Sequence, residues 1–133
     1  MIPPYDDHGF LPPGVHPASL DEAESRFGCD SEVRRAQMDS VKWMVELAVR
    51  AGVQRIILNG SFVTDVLEPN DVDCVLLIGP GARRDRRALK QLRKGLPFLS
   101  IALVGQDDFD HLVNDFFAND RFGVPKGMIE VVR

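Results

Sequence analysis

Three short apolar runs, each closed by a glycine, constrain this chain most: VQRIILNG (53–60), VDCVLLIG (72–79) and PFLSIALVG (97–105). Runs of this length, rich in Val, Ile and Leu and bounded by turn residues, read as β-strands. GMIEVVR at 127–133 reads as a fourth. Segments with helical spacing lie before and between them. Met38, Val41, Val45 and Ala48 recur three and four residues apart, and Met44 and Leu47 widen that face, so a long helix is predicted from near Asp30 to Gly52. PASLDEAESRFG (17–28) is a shorter helix, with Ser19 and Glu22 at capping-box spacing and Gly28 as the stop. GARRDRRALKQLRKG (81–95) and DDFDHLVNDFFAND (107–120) complete the helices, the last carrying Phe109, Leu112, Val113 and Phe116. Helices mixed with few strands predict an α+β fold, an α/β sandwich in which a mixed sheet of three to four strands packs against helices.

At 133 residues the chain has room for one domain, 1–133, with a sizeable core. Five of its nine prolines fall in residues 1–17, which makes that segment an extended arm. Tyr5, Phe10, Leu11 and Val15 give the arm apolar anchors, so it is expected to wrap the domain. A content of 44% apolar and 27% charged residues is that of a soluble globular protein, and the net charge of −4 argues against a nucleic-acid coat. No apolar run has the length of a membrane span, and the N-terminus lacks the basic start and apolar stretch of a secretory signal. Cys29 and Cys74 form neither a disulfide framework nor a metal-type spacing. A cytoplasmic protein without membrane contact is the expectation.

Folding alone does not ask for the stretch NGSFVTDVLEPNDVDCVLLI (59–78). Side chains alternate along a strand, so Asp71 and Asp73 point to one face. Two carboxylates about 4 Å apart repel by roughly 4 kcal/mol at an effective dielectric near 20. Protonation of one, or a divalent cation, relieves that repulsion. Paired hard oxygen ligands suit magnesium or manganese, with water and phosphate completing the shell. Gly60 lets the backbone approach a ligand closely, and a short helix from residue 61 would turn N–H groups and the Ser61 hydroxyl toward an anion. Glu68-Pro69-Asn70 returns the chain, so the end of one strand lies beside the start of an antiparallel neighbour. The plainer reading of the two aspartates is a turn and a solvated strand edge, and Asn59-Gly60 by itself reads as a hairpin turn.

Gly60-Ser61 followed by Asp71-Val72-Asp73 in an apolar strand resembles the signature of the nucleotidyltransferase superfamily, the polymerase-beta-like fold. The motif spans about twenty residues, and the surrounding element order extends the likeness over roughly residues 31–104. The proline-rich start and the ending GVPKGMIEVV also resemble a stand-alone group of small proteins with this core. The resemblance implies a nucleotidyltransferase-like sheet in which Asp71 and Asp73 are catalytic and hold Mg2+ or Mn2+. Gly60 and Ser61 then contact the triphosphate of a nucleoside triphosphate, and a nucleoside monophosphate moves to an acceptor hydroxyl. The sequence departs from the pattern twice. Thr64 stands where many minimal members have arginine. The third strand offers Ser100 and Ala102 where a third carboxylate is expected, with Asp107 and Asp108 just beyond it. These departures motivate an alternative: a catalytically degenerate module that binds a nucleotide or a partner protein, in a toxin–antitoxin or regulatory setting.

Arg83, Arg84, Arg86, Arg87, Lys90, Arg93 and Lys94 make the helix around residues 83–94 strongly basic. A solvated face is the ordinary meaning of such a run; a site for RNA or a protein partner is the sharper one. His8, His16 and His111 show no ligand spacing, Lys126 reads as a surface lysine with a phosphate contact as the alternative, and Trp43 reads as core packing.

Overall fold

The computed structural model describes residues 1–80 and 85–132. In chain order these form β1 (Gly14–Ala18), α1 (Leu20–Phe27), α2 (Glu32–Ala51), β2 (Arg55–Asn59), a 3-10 turn (Gly60–Val63), β3 (Val72–Leu77), α3 (Arg86–Lys94), β4 (Leu99–Val104), α4 (Gln106–His111), a π-helical turn (Leu112–Phe116) and β5 (Gly127–Val131). The fold is mixed α+β. Its single sheet has the order β1-β5-β2-β3-β4, with β2 antiparallel to both β3 and β5, and with the β1–β5 and β3–β4 pairs parallel.

The sheet has five strands rather than three to four. The extra one comes from the end of the proline-rich arm, where Gly14 to Ala18 pair with Gly127 to Val131. Pro17 is tolerated because β1 is an edge strand and bonds to one neighbour only. The rest of the arm wraps the domain as expected: Leu11 is fully buried, and the Tyr5 hydroxyl donates to the Thr64 carbonyl at 3.1 Å.

Local chemistry explains the helix ends. Ser19 accepts from the Glu22 amide while the Glu22 carboxylate accepts from the Ser19 amide, both at 3.1 Å, closing the box that starts α1. Ser31 caps α2 and Gly52 ends it. Asp85 caps α3 by accepting from the Arg87 and Ala88 amides, and its carboxylate also pairs with Arg50. Arg83 and Arg84 lie outside the described residues; Arg86, Arg87, Lys90, Arg93 and Lys94 are exposed on or at the end of α3.

Strand alternation divides the core in two. Ile56, Leu58, Val72, Cys74 and Leu76 face the larger cluster, which takes in α1, α2 and α3. Ile57, Val75, Leu77 and Met128 face the other way, against Phe109 and Val113. Helices therefore cover both faces of the sheet. On the α4 face, Arg55 and Glu130 form a two-pronged ion pair at 2.9 and 2.6 Å that ties β2 to β5. Trp43 is 44% exposed rather than in the core, because the buried stripe of α2 includes Met38, Val41, Met44, Val45 and Ala48, and residue 43 falls off it. No described helix is long and apolar enough to cross a membrane.

Candidate functional site

Antiparallel pairing of β2 with β3 sets Asn59 opposite Asp73, so the Gly60 turn and the first carboxylate of β3 share one end of the sheet. Gly60 has φ +79, and a methyl group at its α-carbon would overlap the Asp73 carboxylate. Only glycine permits that approach without strain. The helix expected from residue 61 is a single 3-10 turn, Gly60–Val63. Thr64 does not face the site: it is buried and closes this turn, its hydroxyl donating to the Ser61 carbonyl at 2.7 Å.

Two contacts from distant parts of the chain hold the connection in place. Arg34 of α2 is 2% exposed and meets no carboxylate among the described residues. Its guanidinium donates to the carbonyls of Phe27 (3.0 Å), Phe62 (2.7 Å), Thr64 (2.8 Å) and Val66 (3.0 Å from Nε). From the arm, Phe10 bridges Thr64 and the Asp65 amide donates to the Gly9 carbonyl at 3.0 Å.

Gly60, Ser61 and Asp73 line one wall of a cleft of about 650 Å³. The rest of the lining comes from the segment between α4 and β5: Phe116, Phe117, Asn119, Asp120, Arg121 and Lys126. β5 lies beside β2, which is what brings Lys126, just before β5, to the end of β2 where Asp73 sits. Asp73 and Lys126 are each about half buried and form no ion pair with each other among the described residues. Burial raises the Asp73 pKa above the usual carboxylate value; the Lys126 ammonium opposes this and the Asp71 charge adds to it. Burial lowers the Lys126 pKa, against the pull of Asp73 and Asp120. Two half-desolvated charges of opposite sign thus face one cavity.

A family model described as "Family of unknown function (DUF6932)" matches residues 3–132. The chain belongs to this family. No curated protein and no solved structure matches it. The match runs over the arm, both walls of the cleft and β5, so every feature of the site lies within the family's own span.

The sequence-derived residues fare unequally. Gly60, Ser61 and Asp73 come together in the cleft. Asp71 stands exposed just before β3, outside the lining but close enough to raise the Asp73 pKa. Ser100 is the register partner of Asp73 on β4, so the position of the expected third carboxylate holds a hydroxyl. Asp107 and Asp108 open α4, beyond the far end of β4. The four steps from Ser100 to Val104 alone span about 13 Å, so neither carboxylate substitutes. Among the described residues no group of three His, Cys, Asp or Glu side chains is placed to hold a metal ion. Asp73 alone of the two lines the cleft, and one carboxylate is a sufficient protein share only for a magnesium ion that arrives with phosphate oxygens and water. The donors present fit an ion delivered with a polyphosphate, not a closed protein cage.

Lys126 is half buried in the cleft rather than on the open surface, and Arg34, Phe116 and Arg121 were missed. One signal was available for Arg34: it sits four residues before Met38, on the apolar stripe of α2. α3 packs against the other face of the sheet, with Ala88, Leu89 and Leu92 in the larger core cluster, so its basic side chains do not join the cleft.

Proposed function

We propose that the chain binds a nucleoside triphosphate with Mg2+ or Mn2+ in this cleft, as a nucleotidyltransferase-like protein. The carrying observation is the approach of the Gly60 backbone to Asp73, with Lys126 lining the same cleft and its charge acting on that carboxylate. Asp73, with Asp71 at the mouth, would hold the ion, and Gly60, Ser61 and Lys126 would contact the phosphates. When bound, the ion neutralises phosphate charge and makes the α-phosphorus more open to attack. The chain's own share is to position the triphosphate and to desolvate it against Asp73. With an acceptor hydroxyl aligned, the reaction of such a site is transfer of a nucleoside monophosphate.

One observation favours the second reading, a module that binds nucleotide without efficient transfer. Ser100 occupies the place beside Asp73 where a carboxylate would deprotonate the acceptor. The basic face of α3 is a separate proposed surface for RNA or a protein partner, on the other side of the sheet.

Incubation with each α-labelled nucleoside triphosphate, with and without Mg2+ or Mn2+ and candidate acceptors, tests both readings. Metal-dependent retention of label supports the site, and covalent label on an acceptor supports transfer. Retention that is lost in Asp71→Ala/Asp73→Ala, with the fold intact, assigns it to these residues. Absence of both retention and transfer refutes the proposal.

A further inference from the structure

We propose that Phe116 is the stacking platform for the nucleobase, which assigns the second wall of the cleft; this rests on the nucleotide reading above. The helix spacing of Phe109, Val113 and Phe116 places all three on one buried face. Phe109 and Val113 are buried, but Phe116 is 65% exposed. The π-helical turn explains the difference. The Phe117 amide donates to the Leu112 carbonyl at 2.8 Å, five residues back, so one extra residue enters the turn. Phe117 then packs against the core cluster in the place the spacing gives to Phe116. Phe116 is released into the cleft and stays fixed edge-to-face on Phe117 at 4.9 Å. Such turns are rare and concentrate at functional sites. Exposing a large ring does nothing for the fold, since the same residue in regular helix would be buried.

The segment after it is built to hold its shape. The Asp120 carboxylate accepts from the Phe122 and Val124 amides at 2.8 and 2.9 Å, and the Lys126 amide donates to the Ala118 carbonyl at 2.9 Å. Arg121 is thereby kept on the cleft wall, its guanidinium over the Phe122 ring at 5.1 Å from the centroid. One side thus offers glycine backbone, a hydroxyl and a carboxylate, and the other an aromatic ring, two cations and the Asp120 carboxylate, which already accepts from two amides. An occupant with a flat ring at one end and phosphates at the other uses both walls; a bare polyphosphate uses one. A volume of about 650 Å³ is within the range of small-molecule and cofactor sites.

Binding of ATP, CTP and inorganic tripolyphosphate, each with Mg2+, to the full chain tests the assignment. Phe116→Ala should weaken both nucleotides about tenfold, the scale of one base–aromatic stack, and leave tripolyphosphate unchanged. Phe116→Trp should restore nucleotide affinity. Because the ring is largely exposed, the alanine variant is expected to fold, which its circular dichroism checks. Unchanged nucleotide affinity in Phe116→Ala, or wild-type affinity for tripolyphosphate equal to that for the nucleotides, overturns the platform and leaves the phosphate site standing. Failure of the wild type to bind any of the three overturns the nucleotide reading itself.

Discussion

Replacing Arg34 with methionine keeps the aliphatic stem in its buried slot and removes every donor at its end. Four carbonyls lose a guanidinium contact: Phe27, Phe62, Thr64 and Val66. Thr64 keeps the Tyr5 hydroxyl, so three carbonyls bear most of the loss. A buried acceptor left without a partner costs about 1–3 kcal/mol, and Val66 lies where water can reach it. The expected total is about 3–5 kcal/mol, a large share of a stability of about 5–15 kcal/mol. At a urea dependence of about 2 kcal/mol per molar, the midpoint should fall by about 2 M. Arg34→Lys should fall between, since one ammonium cannot span carbonyls that a planar fork reaches at once. The control is Arg87→Met, an exposed residue of α3 whose loss should stay within about 0.5 kcal/mol. Urea unfolding followed by far-UV circular dichroism decides the matter. A loss below about 1 kcal/mol in Arg34→Met, matching the control, would refute the claim that this arginine holds the connection that follows the Gly60 turn.

Gly60→Ala and Gly123→Ala place alanine at nearly equal φ, +79 and +80, so each should cost about 1–2 kcal/mol of backbone strain. Only at Gly60 does the new methyl meet a side chain, Asp73, so only that variant should move the Asp73 titration measured by NMR; equal titrations would contradict the close approach. Because burial raises the Asp73 pKa, its ionised form destabilises the folded state, and Asp73→Asn should melt above the wild type while losing metal-dependent binding; a lower melting temperature contradicts this. The sign with pH follows. The folded carboxyl binds its proton more tightly than the unfolded one, so its contribution to stability falls as pH rises from the unfolded value toward the raised folded value. Affinity for a magnesium–nucleotide complex should rise across that same window as the carboxylate ionises, and an affinity flat from about pH 4 to 7 speaks against Asp73 as a ligand.

Most of the fold was legible because its signals are local. The capping box at Ser19 and Glu22, the apolar stripe of α2 and the glycine-bounded runs each fix one element through neighbours in sequence. β1 escaped because its pairing partner begins at Gly127 and the arm's prolines read as irregular chain; only an edge position lets Pro17 join a sheet. Half of the site was legible for the same reason: Gly60 and Ser61 form the turn that ends β2, and Asp73 lies on the next strand, reached by a short return. Lys126 and Arg121 come to the cleft only because β5 lies beside β2, a pairing that nothing in their surroundings announces. The spacing of residues 107–120 puts Phe116 on the apolar face of a regular helix, since i→i+5 bonding leaves no periodic trace in so short a segment. The absence of a third carboxylate was legible, and the register of Ser100 with Asp73 now places it.

One cleft, between the Gly60 turn and Lys126, is proposed to receive a metal-complexed nucleotide. Backbone amide shift mapping during titration with ATP, first without and then with Mg2+, tests it most directly. Mg2+-dependent shifts centred on Gly60, Ser61, Asp73 and Lys126 are expected. Shifts confined to another surface, such as a second hollow lined by Arg26, Asp30 and Asp65, or no shifts at all, would overturn this reading.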